Sequence, residues 1–160
     1  VPLDKAELPV DASGKITEPV LDGGFANHYP LSILVVEDDK VNLKLILSLI
    51  RRLGYEPIFA KNGREAVDIQ KREHTDCVLM DLQMPEMDGI EATEKIRAIE
   101  KECRSEKPTF ISALTANIFP ADRQRCFDVG MNGYLNKPLK LAMLARLLIQ
   151  AEDFAASRRR

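Results

Sequence analysis

The segment from Thr75 to Gly89 constrains the fold more than any other part of the chain. It begins with a short apolar run, CVLM, of the length that a fully buried strand needs, and the run ends abruptly at the carboxylate of Asp81. Pro85 prevents the strand from continuing, and Asp88-Gly89 forms a turn that can start the next helix. Asp81 is therefore predicted at the carboxyl end of a buried strand, the edge at which open α/β sheets bind ligands.

The same alternation of an apolar run and an amphipathic segment continues along the chain from Leu31. Gly54 and Gly130 are expected to end two of the helices, and Pro120 to start one. Strands that alternate with helices predict a doubly wound parallel sheet in an α/β domain. The predicted strands are residues 31–36, 56–60, 77–81, 109–115 and 133–136, and the predicted helices are about 40–53, 64–73, 89–103, 120–129 and 139–150.

One folded domain accounts for most of the chain. With 160 residues, of which 45% are hydrophobic, the chain can build one full core but not two. Residues 1–30 hold four of the nine prolines and show no helix or strand period, so we expect a flexible linker there. The domain is predicted over residues 31–150, followed by a tail at 151–160. Because the chain opens on Val1 and a linker, we expect it to be part of a longer protein.

Charge and cysteine content exclude several classes of function. The net charge of -2 provides no general attraction to nucleic acid or to membranes, and the short basic stretch at 158–160 is interpreted as solvated. No apolar run approaches the ~18 residues of a membrane span, and no secretory signal is present, so a cytoplasmic location is expected. The three cysteines have no paired spacing, which predicts reduced thiols without a metal role.

Polar side chains follow four of the predicted strands. They are Glu37-Asp38-Asp39, Asp81, Thr115 and Lys137. A single aspartate at a strand end usually caps a turn, but the carboxyl ends of parallel strands meet at one edge, so these groups are expected to converge in one crevice.

The expected crevice has the composition of a phosphoryl-transfer site. Clustered carboxylates repel one another and need a cation to remain ionised, and hard oxygen ligands with open positions suit Mg²⁺. Lys137 and Thr115 would supply a positive charge and a hydroxyl donor for a phosphoryl group. The predicted chemistry is phosphoryl transfer onto a carboxylate, which forms an acyl phosphate.

Four motifs together resemble the receiver domain of two-component signalling. ILVVEDD, VLMDLQMPEMDG, ALTAN and YLNKPL occur in the order and spacing of that family, and the resemblance covers about residues 31–150. It implies a flavodoxin-like sheet of strand order 2-1-3-4-5 with five helices. It also implies a phosphoacceptor that takes its phosphoryl group from a phosphohistidine, and no kinase catalytic domain within these residues.

Site roles follow from this resemblance. Asp81 is similar to the phosphoacceptor, Lys137 to the active-site lysine, and Glu37 and Asp38 to the acidic pair that binds the metal. Many receivers have an aspartate where this chain has Glu37, so we expect the longer side chain to reach the metal through water and Asp38 to bind it directly. Gln83 is similar to the position whose backbone carbonyl binds the metal.

The resemblance also implies a switch, and the positions of two amides, two residues beyond Asp81 and Thr115, predict a water-positioning pair. Thr115 is similar to the switch hydroxyl and Tyr134 to the aromatic switch residue. The amides of Gln83 and Asn117 are expected to flank the path of a hydrolytic water, which an amide can orient but cannot deprotonate. Asp39, the third acid in its run, is interpreted as a helix N-cap.

A helix face predicts where a partner binds. Val41 and Leu45 fall opposite the core-facing side of the helix at 40–53, with Leu49 at the flank. Surplus apolar residues there favour docking of the helical domain of a histidine kinase or histidine phosphotransfer protein, although scattered exposed apolar side chains are also common. The sequence is most similar to receivers of hybrid sensor histidine kinases. Neither His28 nor His74 is expected to be a phosphohistidine.

Two other functions remain open from the sequence. A magnesium-dependent hydrolase of the haloacid-dehalogenase type also uses a strand-end aspartate as nucleophile, but it needs a second aspartate at the position of Gln83. A pseudo-receiver would bind partners without phosphorylation, and it is disfavoured because every group of the site is present.

Overall fold

Five parallel strands form a single sheet at the centre of the computed structural model, which describes residues 12–13, 20–103, 107–116 and 119–159. Their order is β2-β1-β3-β4-β5, and all four neighbouring pairs are parallel. The predicted doubly wound sheet of order 2-1-3-4-5 is confirmed. The strands are β1 (Ile33–Val36), β2 (Ile58–Ala60), β3 (Cys77–Asp81), β4 (Phe110–Thr115) and β5 (Gly133–Asn136).

Alternate strand residues point to opposite faces of the sheet, and each face has its own apolar core. Leu79 of β3 packs in the cluster that also contains α2 and α6 residues, whereas its neighbour Met80 packs with those of α3 and α4. β1, β3 and β4 are buried over their whole length, as expected for parallel strands covered by helices on both sides. The helices are α1 (Phe25–His28), α2 (Lys40–Arg52), α3 (Gly63–Arg72), α4 (Gly89–Glu102), α5 (Pro120–Asp128) and α6 (Leu141–Arg159).

Local caps determine where the helices begin and end. Asp39 is the N-cap of α2, since its side chain accepts the N–H of Asn42 at 2.9 Å, and the capping interpretation of this third acid is confirmed. Asn62 and Asp88 cap α3 and α4 in the same way. Gly54 follows the end of α2 with φ 97°, a left-handed conformation that glycine adopts without strain.

The structure differs from the predictions at both ends of the domain. Six helices are present in the described residues rather than five, because α1 forms within the predicted linker. Phe25 of α1 is 2% exposed, and its ring lies 4.8 Å from that of Tyr29 and 6.2 Å from that of Tyr55. Residues 1–11 and 14–19 of the predicted linker lie outside the described residues.

The last helix also extends beyond its predicted end at residue 150. α6 continues to Arg159, through the segment that was predicted to be a tail. Ala151 is buried, and the ring of Phe154 lies 5.7 Å from that of Phe110 at the start of β4, so the apolar stripe of α6 continues over the sheet. None of the helices in the described residues is long and apolar enough to cross a membrane.

Candidate functional site

Three carboxylates converge at the carboxyl ends of β1 and β3. Glu37 and Asp38 directly follow β1, Asp81 ends β3, and these two strands are neighbours in the sheet. One carboxylate oxygen from each residue lies within 4.8 Å of those of the other two. Glu37 and Asp81 are buried whereas Asp38 is exposed, so the cluster opens to solvent at Asp38.

Lys137, which follows β5, reaches across to the same cluster. Its Nζ lies 2.8 Å from Oε2 of Glu37 and 3.3 Å from Oδ1 of Asp81. Burial lowers the pKa of Lys137, but the hydrogen bonds and charges of the two carboxylates outweigh burial and raise the pKa above its ordinary value. The lysine is therefore charged, and it holds the two buried carboxylates at a common point.

One lysine does not balance the charge of this cluster. Burial, followed by the charge of Glu37, raises the pKa of Asp81 to about 7, although the backbone N–H of Gln83 and the charge of Lys137 lower it. That N–H donates to Oδ1 of Asp81 at 3.2 Å. Oε2 of Glu37 is buried, and the lysine that it contacts at 2.8 Å is shared with Asp81. A dication would offset the repulsion among the three carboxylates, so the donor set fits Mg²⁺.

Gly89 brings the start of α4 against the site. A Cβ at this position would lie 2.3 Å from the carbonyl oxygen of Asp81, which is closer than any real Cβ contact. The sequence predicted the turn at Asp88-Gly89 but not this close approach, which depends on how α4 lies against β3. Any larger residue at this position would force α4 and the end of β3 apart.

Thr115 and Tyr134 lie on one face of the sheet. Thr115 ends β4, and Tyr134 pairs in register with Ala113, two residues before Thr115, so the two side chains are diagonal neighbours. Thr115 and Gln83 both line a cavity of about 230 Å³ beside the site. Tyr134 is half-buried. Asn117, predicted to position water, lies outside the described residues.

Arg123 of α5 contacts Tyr134, and sequence reasoning missed this residue. Its Nη2 donates to the Tyr134 hydroxyl at 2.5 Å, and its Cζ lies 4.8 Å from the centre of the ring. Eleven positions separate the two residues, and no helix or strand period joins them. An arginine in a polar helix gives no signal of this kind in the sequence.

The predicted docking face of α2 is exposed. Val41 is 76% exposed and Leu45 is 46% exposed, whereas Leu49 is partly buried and packs against the core. The opposite side of the helix packs on the sheet, as predicted. Its buried residues are Leu43, Ile46, Leu47 and Ile50.

Comparison with known proteins identifies the family. The family described as response regulator receiver domain matches residues 33–149. The chain belongs to this family. It is thus a receiver domain of two-component signalling, as its motifs predicted, and the haloacid-dehalogenase hydrolase is not supported.

Receiver domains of hybrid kinases are among the relatives of this receiver. Hybrid signal transduction histidine kinase B of Dictyostelium discoideum is 48% identical over 115 residues, which are 68% of this chain but 6% of that protein. This receiver therefore spans only a small part of such relatives.

Two solved structures have the same fold. The receiver domain of the sensor histidine kinase PA1611 from Pseudomonas aeruginosa PAO1, with a magnesium ion coordinated in the active site cleft, has a TM-score of 0.68 and 41% identity. That alignment covers 77% of this chain and 98% of the other. The co-crystal structure of the Saccharomyces cerevisiae phosphotransfer protein Ypd1 and the receiver domain of Ssk1 gives a TM-score of 0.73 and 35% identity, over 77% of this chain and 89% of the other.

Proposed function

We propose that Asp81 accepts a phosphoryl group from a phosphohistidine, in a site where Glu37, Asp38, Asp81 and the backbone carbonyl of Gln83 hold Mg²⁺. The observation that carries this proposal is the unbalanced charge of the cluster. Two buried carboxylates share one lysine, and an oxygen of a third carboxylate, Asp38, lies within 4.8 Å of theirs. A dication supplies the missing positive charge, and its open positions can take the oxygens of a phosphoryl group.

In the proposed reaction, a carboxylate oxygen of Asp81 attacks the phosphorus atom of the donor. The O–P bond forms, the P–N bond to the donor imidazole breaks, and the imidazole leaves as a neutral histidine with a proton from solvent. Bound Mg²⁺ would neutralise charge on the phosphoryl oxygens. The ammonium of Lys137, already 3.3 Å from Oδ1 of Asp81, supplies a second positive charge to the product.

The acyl phosphate would then change the conformation around Thr115. We expect the hydroxyl of Thr115 to move toward the phosphoryl oxygens and the ring of Tyr134 to turn inward beside it. Their positions on the same face of β4 and β5 support this motion, since a move at one residue opens space at the other. The surface around α5 and β5 would carry the signal to a partner.

The proposed phosphodonor is the helical domain of a histidine kinase or a histidine phosphotransfer protein. Val41 and Leu45 offer it an apolar surface one or two turns from the acidic cluster at the start of α2. Support comes from the Ssk1 receiver, which was crystallised with a phosphotransfer protein. Given its similarity to hybrid kinases, we propose that the chain is the cytoplasmic receiver of such a kinase.

Loss of the phosphoryl group would occur mainly by transfer back to a histidine. Gln83 lies at the mouth of the site, and its amide can orient a water molecule but cannot take its proton. We propose the same role for Asn117. Self-catalysed hydrolysis of intermediate speed is expected, which suits a relay rather than a timer.

The adduct of Asp81 tests the proposal directly. The chain is incubated with acetyl phosphate and Mg²⁺, and its intact mass is measured. Wild type should gain one phosphoryl group, and Asp81→Asn should gain none because an amide is not a nucleophile here. An undiminished adduct in Asp81→Asn would exclude the assignment, and Asp76→Asn, in the loop before β3, is the matched control.

A second arm tests the docking face. Val41→Ser with Leu45→Ser should slow transfer from a histidine phosphotransfer protein about tenfold or more while leaving phosphorylation by acetyl phosphate unchanged, since only the protein donor needs the surface. Equal slowing with both donors would mean that these substitutions disturb the site and not the docking.

A further inference from the structure

Arg123 and Tyr134 form a contact that the proposed phosphorylation chemistry does not use. Arg123 lies in the first turn of α5, and Tyr134 lies in β5, the edge strand beside β4. The guanidinium both donates to the hydroxyl at 2.5 Å and lies 4.8 Å from the ring centre. Both side chains are partly buried, so water screens the contact less than it would at a fully exposed site.

The contact selects one position of the tyrosine ring. The hydroxyl can reach the guanidinium only while the ring lies toward α5, as in this structure. This position of the ring is called the outward position. In the proposed switch the ring turns along β4 toward Thr115, which would carry its hydroxyl away from Arg123. The neighbour of Tyr134 in register is the small Ala113, so β4 places no bulky side chain directly beside the ring. The contact with Arg123 therefore stabilises one of two conformations and not the other.

We infer that Arg123 is a positioning residue that holds Tyr134 in its outward position and so keeps the receiver in its resting state until Asp81 is phosphorylated. The inference rests on the proposed function, because it assumes that the inward position belongs to the phosphorylated state. A group that stabilises only the resting state lowers the population of the active one. It must then also weaken, by the same factor, the binding of any ligand that favours the active state.

This reciprocity determines the expected effect of removing the arginine. A hydrogen bond and a cation–π contact of this kind shift a two-state equilibrium by about five- to tenfold. Arg123→Ala should therefore bind beryllofluoride with Mg²⁺, an analogue of the phosphoryl group, about fivefold more tightly than wild type. Alanine is well tolerated in a helix, so this variant is expected to fold.

The experiment measures beryllofluoride affinity by calorimetry on the full chain. Arg72→Ala is the matched control, since it removes an exposed arginine from the distant carboxyl end of α3 with the same change of charge. Arg123→Ala should bind more tightly and Arg72→Ala should match wild type. If Arg123→Ala binds no more tightly than wild type, Arg123 does not hold the resting state. A wild-type chain that does not bind the analogue overturns the proposed function instead.

Two further measurements separate a positioning role from a purely structural one. The chain has three tyrosines, so the ring signal of Tyr134 can be assigned by NMR with Tyr134→Phe and should shift in unphosphorylated Arg123→Ala toward its position in the beryllofluoride complex. In a double-mutant cycle, Tyr134→Phe and Arg123→Ala should together tighten binding by less than the product of their separate effects. An unshifted signal or strictly multiplicative effects would overturn the inference.

Discussion

Two buried glutamates lie at opposite edges of the same sheet, and their surroundings differ. At the amino-end edge, Glu100 of α4 accepts from Arg97 at 2.5 Å and from the backbone N–H of Thr109 at 2.7 Å, and it lies 3.5 Å from Nε2 of His74. Burial raises the pKa of Glu100, but His74, Arg97 and Thr109 outweigh burial and hold it below its ordinary value. At the carboxyl-end edge, Glu37 and Asp81 share one lysine.

The two clusters differ in how fully their charges are paired, and this difference matches a structural role for one and a binding role for the other. Arg97 also donates to the carbonyl of Gly130 and to the side chain of Asn132, so the amino-end cluster joins α4 to the loop before β5 with its charges paired. The carboxyl-end cluster keeps an excess of negative charge, because three carboxylates lie beside one lysine. A cluster whose charges are paired stabilises the fold. A cluster with excess negative charge can instead bind a metal ion, and through it a phosphoryl group.

Breaking the satisfied cluster should have the largest effect on stability. Glu100→Gln replaces an acceptor by an amide donor that faces Arg97 or the N–H of Thr109, so the free energy of unfolding should fall by about 3 kcal/mol. Urea unfolding at neutral pH measures the change. Glu102→Gln, at the exposed end of the same helix, is the control and should change stability little. An equal loss in both variants would mean that the pairing of Glu100 contributes nothing specific.

Removing a charge from the carboxyl-end cluster should stabilise the fold rather than destabilise it. Because the pKa of Asp81 is raised to about 7, above that of the unfolded chain, the contribution of Asp81 to the stability of wild type falls as the pH rises from about 4 to about 7. Without Mg²⁺, Asp81→Asn should therefore be about 2 kcal/mol more stable than wild type at pH 8 and nearly equal to it at pH 4. Denaturant unfolding across this range tests it, and a destabilised Asp81→Asn at pH 8 would contradict the comparison.

Magnesium should stabilise the folded chain by offsetting the excess negative charge of the carboxyl-end cluster. At ten times its dissociation constant, Mg²⁺ should raise the unfolding free energy of wild type by about 1.4 kcal/mol, because it binds only the folded chain.

Asp38→Ala should weaken the binding of Mg²⁺ more than Glu37→Gln does. Asp39→Asn is the control, since asparagine can keep the cap of α2. Calorimetric titration gives the order of affinities. The reverse order for Asp38 and Glu37 would mean that their roles are exchanged.

Parts of the structure that rest on local pattern were predictable from the sequence. Each buried strand is a short, mainly apolar run, and a charged residue or a hydroxyl ends or follows the run. This placed Glu37, Asp81, Thr115 and Lys137 at strand ends, and the parallel arrangement of the strands brought them to one edge. The cap at Asp39 was also predictable, since it depends on residues only three positions away.

Contacts between distant parts of the chain were decided only by the tertiary structure. Phe25 packs against Tyr55 where α1 forms within the predicted linker, and Phe154 packs against Phe110 where α6 continues past residue 150. The same holds for Arg123 beside Tyr134 and for Gly89 against Asp81. A sequence period records which face of an element is buried, but which side chain lies opposite depends on how elements far apart in the chain pack, and that packing is set by the whole core at once.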